Sequence, residues 1–262
     1  MPNGKSKGPS PGVAKAADHG PTIKRRRSAV RMGGPNVHIS LASEIGLRIV
    51  RGEYPPGTIL PNEAQWSKAF EVSRSAVREA IKMLMAKSLL ASRPRVGSRV
   101  EPRERWNLLD RDVLRWYADS PDRESFLKTV QEFRHIIEPE AAAFAAERRT
   151  PEQMQDISLA LGDMASASSL PERIDADTRF HLAILQASGN ELLVPLGTLI
   201  ESALSHLFQH VTGRDASLHH TRRLHEDVEK SIRLQQPKAA RNAVRRLLES
   251  TDEIIASASR KG

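Results

Sequence analysis

The sequence predicts a mostly α protein in two folded parts: a small N-terminal unit of three helices closed by a β-hairpin, then a larger all-α bundle. Three observations predict it. Apolar residues recur at helical spacing from Ser40 almost to the C-terminus, with Gly, Pro and Ser signals between the runs. Strand-like text occurs in one place, on either side of Arg93-Pro94-Arg95-Val96-Gly97. A chain of 262 residues with 39% hydrophobic content is sufficient for two modest cores.

Residues 1–36 are rich in Gly, Pro, Ser, Lys and Arg, and without apolar periodicity they read as a disordered basic tail. The Lys24-Arg25-Arg26-Arg27 run can lie along DNA phosphates, or it can simply keep the protein solvated. Much of the net charge of +8 sits in this tail, so charge alone says little about the folded parts. The chain has no cysteine, which excludes disulfides, thiolate metal sites and a cysteine nucleophile. No apolar stretch has the length a bilayer demands, and Leu192 to Leu199 is interrupted by Pro195 and Gly197. With no apolar signal region either, a cytoplasmic protein with no membrane partner is expected.

Residues 37–101 form the first expected domain. Leu41, Ile45, Ile49 and Val50 make one apolar stripe of a helix that stops at Gly52. After the rigid turn Tyr54-Pro55-Pro56-Gly57, Asn62 and Gln65 have the spacing of a capping box at the start of a second helix. Glu71-Val72 breaks that helix, and Ser73 caps a third that runs to about Lys87, with Val77, Ala80, Ile81 and Leu84 inward and Arg74, Ser75 and Arg78 outward. Strands over Leu89 to Ala91 and Ser98 to Val100 then form a hairpin. Residues 102–124 are expected to be a linker and a helix that covers the second domain, with Leu108, Leu109, Val113, Leu114 and Trp116 near helical spacing. Residues 125–260 are expected to be the helical bundle, built from Ser125 to Arg149, Glu152 to Met164, Pro171 to Ala187, Glu191 to Val211, Asp215 to Leu234 and Pro237 to Ala258. Pro139 is expected to kink or break the first of these, because it removes a helix hydrogen bond and crowds the preceding turn.

Leu60-Pro61-Asn62-Glu63, Val72-Ser73-Arg74 and Val77-Arg78-Glu79-Ala80, followed by a wing ending Gly97-Ser98-Arg99-Val100, resemble the GntR family of bacterial winged helix-turn-helix regulators. The resemblance implies a homodimer on double-stranded DNA with a palindromic operator, and groove or phosphate contacts from Ser73, Arg74, Ser75 and Arg78. It also implies that Gly97 lets the wing backbone approach the minor groove. Elementary chemistry points the same way, since a helix N-terminus favours phosphate and arginine can contact guanine O6 and N7 with two hydrogen bonds. Arg74 and Arg78 are four apart and share a face. The bland alternative is a solvated basic face. Two departures from the family stand out: Ala64 replaces an arginine that reaches DNA in some relatives, and Arg95 replaces a wing glycine. With Arg93 and Arg99 it makes this wing basic, so Arg95 joins the expected DNA contacts, although solvation accounts for any one of the three.

Glu132 to Glu140, Asp177-Thr178-Arg179-Phe180-His181, Ala187-Ser188-Gly189-Asn190 and His225 resemble the FCD ligand-binding domain of the FadR branch of that family. The resemblance implies a divalent metal (Zn, Ni or Mn) on Asp177, His181 and His225, and a small organic-acid effector at the same place. Asp177 and His181 lie one helical turn apart, a workable arrangement for two ligands. The fourth family ligand falls 22 residues after His225, where this chain has Leu247. Three ligands leave open positions for an effector; alternatively the metal is lost and His181 and His225 bind the effector directly. Arg134, on a helix whose Val130, Phe133 and Ile137 face the core, needs an anion: an effector carboxylate, or Glu138 four residues on. Trp106 to Trp116, the Arg95 wing and the missing histidine look like the galactonate-operon repressors of this branch, which implies a sugar acid. A metal-responsive or acyl-CoA-responsive regulator is the alternative. A metal-dependent hydrolase is disfavoured, as no phosphate loop, nucleophile elbow or His-Glu-x-x-His motif is present.

Overall fold

A computed structural model describes residues 36–93, 97–210 and 215–259. Arg95 and the Lys24–Arg27 run lie outside the described residues, as does the side chain of Arg93.

Helix α1 (Val37–Val50) buries Leu41, Ile45, Ile49 and Val50, the expected stripe. It ends at Gly52, whose φ of 76° is left-handed and whose N–H donates to the Ile49 carbonyl. Helix α2 (Glu63–Phe70) opens with both bonds of the Asn62–Gln65 capping box and closes at Glu71 in the left-handed region. Helix α3 (Arg74–Ala86) is capped by Ser73, whose Oγ accepts from the Ala76 N–H, and it buries Val77, Ala80 and Leu84. Ile81 is only half-buried.

Strands β1 (Leu90–Arg93) and β2 (Gly97–Val100) pair antiparallel, with Leu90 opposite Val100 and Arg93 opposite Gly97. Each is one residue longer than its sequence suggested, and β1 starts one residue later. The Tyr54–Gly57 turn has a consequence not legible locally: it lays residues 57–60 along the outer edge of β2. Gly57 N–H donates to Val100 O, Val100 N–H to Thr58 O, and Leu60 N–H to Ser98 O. The edge of the hairpin nearest the domain is thereby paired.

Residues 102–124 depart from expectation. Arg103–Arg105 form a 3-10 turn, and helix α4 (Arg111–Ala118) is capped by the Asp110 carboxylate. Trp106, Val113, Trp116 and Tyr117 join the core of the N-terminal domain instead of simply covering the bundle. The reason is a close helix crossing. Gly46 of α1 faces the Trp116 ring so closely that an added Cβ would lie 2.3 Å from a ring carbon. Lys87, at the end of α3, fastens the start of α4 through Asp110 at 2.8 Å and Asp112 at 2.9 Å.

The bundle comprises α5 (Arg123–Arg148), α6 (Pro151–Ser166), α7 (Leu170–Ala187), α8 (Gly197–His210), α9 (Asp215–Arg233) and α10 (Pro237–Ser259). Helix α5 packs against α7, α8, α9 and α10 and is the central helix. It runs unbroken through Pro139, so that proline does not break it. Its buried Ala141, Ala142, Ala145 and Ala146 let neighbouring helices approach, and this packing holds the helix across the missing hydrogen bond. Helix α8 begins later than its sequence suggested, because Pro195 lies in a separate 3-10 turn, Val194–Leu196. Arg111 of α4 pairs with Glu201 of α8 at 3.0 Å, so α4 touches both parts of the molecule. No described helix is long and apolar enough to cross a membrane.

Gly46→Ala is expected to destabilise the protein by about 1–3 kcal/mol, since the new methyl must displace a packed indole. Combining it with Trp116→Leu should cost less than the sum of the two single changes. Urea unfolding of the four variants reads both effects.

Candidate functional site

The first site is the outer face of α3. Arg74, Ser75 and Arg78 are exposed, while the buried Val77 and Ala80 fix which side faces out. Ser73 is committed to the helix start, and its hydroxyl lies 2.9 Å from that of Ser75. Arg78 is held by a residue that sequence reasoning missed. Its Nε and Nη2 donate to the two carboxylate oxygens of Glu63, at 3.0 and 2.9 Å. This bond, followed by the charge of Arg78 and then of Arg74, holds the Glu63 carboxyl below its ordinary range. On the wing, Gly97 is exposed with φ at 101°, a conformation that favours glycine. Arg99 Nε donates to the Gly57 carbonyl. The structure thus places Ser73, Arg74, Ser75 and Arg78 on one surface, as their spacing suggested.

The second site is a cluster of charged side chains inside the bundle. Arg134 and Glu138 come from α5, Asp177 and His181 from α7, and His225 from α9; all five are buried. Arg134 Nε lies 2.5 Å from Glu138 Oε1, so the anion that Arg134 requires is supplied within its own helix. Arg134 Nη1 also donates to Gln131 Oε1, and Gln131 in turn donates to the Leu248 carbonyl. The other oxygen of Glu138 lies 2.7 Å from His181 Nδ1. Burial opposes the charge on Glu138, but Arg134 and His181 outweigh it and bring its pKa down to about 2. Burial likewise opposes charge on Asp177, and His225, His181 and Arg134 outweigh it.

The geometry suits a divalent cation. Asp177, His181 and His225 each offer one ligand atom, and these atoms lie within 4.8 Å of one another. His225 Nδ1 lies 2.8 Å from the Thr221 carbonyl, which can only accept, so Nδ1 carries a proton and Nε2 is the ring atom that faces the cluster. That Nε2 is 2.8 Å from Asp177 Oδ1, yet neither atom has a hydrogen-bond partner among the described residues. A carboxylate oxygen and an imidazole nitrogen that converge in the core without a hydrogen bond suit a bound cation. His181 shows the matching support: Glu138 sits on Nδ1, while Nε2 lies 3.8 Å from Asp177 Oδ1. The donor set therefore fits zinc, nickel or manganese. Leu247 is buried in the bundle core, so that position contributes an apolar wall and no ligand.

Comparison with known proteins identifies both domains. Residues 40–100 match the family described as bacterial regulatory proteins, gntR family, and residues 129–250 match the FCD domain. The chain is similar to the uncharacterized HTH-type transcriptional regulator YieP of Escherichia coli, 35% identical over 83% of this chain and 95% of that protein. The chain belongs to the GntR family. The galactonate operon transcriptional repressor of E. coli is another relative, 34% identical over 79% of this chain and 91% of its own length. Among solved structures, Lar, which controls the expression of the Listeria monocytogenes agr system, has a TM-score of 0.57 at 17% identity and covers 88% of this chain and 100% of its own; it supports the fold alone. This GntR-family chain is a DNA-binding transcriptional regulator and not an enzyme.

Two contacts of the cluster escaped sequence reasoning for different reasons. Glu138 was legible as a partner of Arg134, but its second contact depends on where α7 lands. Thr221 is one turn before His225, and only the ring orientation reveals its part. Glu138→Ala leaves Arg134 buried without its anion and should cost about 3–5 kcal/mol of stability. Replacing the pair together, Arg134→Met with Glu138→Leu, should recover much of that loss in chemical denaturation.

Proposed function

We propose that this regulator is a repressor that binds a palindromic operator as a homodimer and leaves it when a small organic acid, a sugar acid such as galactonate, enters the helical domain. The observation that carries this reading is the buried convergence of ligand atoms from Asp177, His181 and His225, of which Asp177 Oδ1 and His225 Nε2 make no hydrogen bond. Asp177, His181 and His225 would hold a divalent cation. When bound, that cation supplies a positive centre for a carboxylate. Thr221 fixes the His225 tautomer, Glu138 orients His181, and Arg134 adds positive potential that already acts on Asp177. With Leu247 apolar, the cation would lack a fourth protein ligand, which would leave room for an effector carboxylate. The relative that acts on the galactonate operon supports a sugar acid as the ligand class.

On the DNA side, α3 enters the major groove with Arg74 and Arg78 toward base edges, and Ser73 and Ser75 near phosphates. Arg95 and Gly97 bring the wing to the adjacent backbone. Such a protein works in the cytoplasm, on the nucleoid.

Thermal melting of the full-length protein, stripped with chelator, tests the cluster. Added zinc, nickel or manganese should raise the melting temperature, and galactonate should raise it further only with metal present. Asp177→Ala and His225→Ala should abolish both shifts. An unchanged melting temperature in wild type with all three metals would remove the cation from this reading. Organic-acid shifts that survive without metal would assign effector binding to the histidines directly.

A further inference from the structure

The Glu63–Arg78 pair has no sufficient structural reason to exist. Its members are exposed, with relative side-chain areas of 40% for Glu63 and 60% for Arg78, and ion pairs this wet contribute little to stability. The α2 start is already fixed by Asn62 and Gln65, and α2 is already held against α3 by the core around Trp66, Val77 and Leu84. A carboxylate on a surface that approaches a polyanion also weakens binding. Yet Glu63 is aimed at Arg78 across the helix-turn-helix with both oxygens engaged, from a position that the capping box makes rigid.

The guanidinium geometry explains what this arrangement can do. Arginine has five N–H donors in a planar fork. Glu63 takes the side edge, through Nε and one hydrogen of Nη2. The end edge, Nη1 with the other Nη2 hydrogen, stays open, and two parallel donors there match guanine O6 and N7. The carboxylate thus fixes the plane and direction of the fork before DNA arrives, and it restrains Arg78 from swinging to a nearby phosphate. Preorganisation of this kind favours one base over the others more than it favours DNA in general.

We infer that Glu63 is a specificity-determining positioning residue: it remains bonded to Arg78 in the DNA complex and orients the Arg78 end edge to read a guanine. This rests on the placement of α3 in the major groove proposed above, and the test separates the two.

The experiment is selection of binding sites from a duplex pool with a randomised core, using full-length wild type, Glu63→Ala, Arg78→Ala and the double variant. Anisotropy titrations over a salt series then follow, on the duplex that wild type selects and on a scrambled duplex. Wild type should require a guanine that Arg78→Ala no longer selects. Glu63→Ala should keep its melting temperature but lose discrimination at that same base by on the order of tenfold. On the scrambled duplex it should bind no more weakly than wild type, with a salt dependence steeper by roughly one phosphate contact as Arg78 is released to the backbone. In the double variant, removal of Glu63 should produce no further loss at that base. If Glu63→Ala binds all duplexes more tightly with base preference intact, Glu63 merely repels DNA and the inference is overturned. If Arg78→Ala selects the wild-type sequence, the major-groove placement fails, and this inference fails with it.

Discussion

The bundle closes around charge. Arg134, Glu138, Asp177, His181 and His225 lie in the interior of a small helical domain, where an uncompensated ion costs several kcal/mol. Arg134 and Glu138 compensate each other within one helix, and the second Glu138 oxygen then reaches His181 on α7. Asp177 and His225 tie α7 to α9. The positions of α7 and α9 about α5 are therefore constrained by charge neutrality as well as by the alanine-rich contact surface of α5. The ends of this chain of interactions differ. Arg134 Nε donates to Glu138 Oε1, whereas Asp177 Oδ1 and His225 Nε2 lie 2.8 Å apart without a hydrogen bond. In the proposed function a cation would sit at that end, with an anion at the position where Leu247 offers no ligand.

What links this cluster to the DNA-reading face is helix α4. Its indole at Trp116 occupies the space that the missing side chain of Gly46 leaves on α1, and Lys87 anchors its first turn to the end of α3. On its other side α4 meets α8 and α5, with Arg111 paired to Glu201. Helix α8 packs on α7, which carries Asp177 and His181. A contiguous packed path thus joins the cluster to α3. A path is only a means of coupling; a ligand shifts the DNA-binding equilibrium only if it binds one arrangement of α4 and α8 better than another.

Much of this was legible in the sequence where the physics is local. Asn62 with Gln65, Ser73 before Arg74, and Gly52 after Val50 each mark a helix end through a bond within a few residues, and the structure has all three. The Arg134–Glu138 alternative was legible for the same reason, as a pair four apart. Readings failed where a distant partner decided the outcome. Pro139 obeys a local rule that should break α5, but four packed helices hold it. Residues 106–117 carry helical apolar spacing that cannot say which core it serves; Gly46 decides that, and nothing near either residue announces the other. The partner of Arg78 was invisible because Glu63 reads simply as a first-turn acid of α2, while its reach to α3 depends on the helix crossing. Thr58 to Leu60 pair with β2 for an equally nonlocal reason.

The central claim is that one molecule carries two coupled sites, a DNA face on α3 and an acid-binding cluster among α5, α7 and α9. Coupling between binding sites is reciprocal, so it can be measured from either side. The most direct measurement is a calorimetric titration of galactonate into metal-loaded, full-length protein, with and without a saturating amount of the selected operator duplex. The account predicts that the duplex weakens acid binding by the same factor by which the acid weakens duplex binding. Equal acid affinity in both titrations would contradict it.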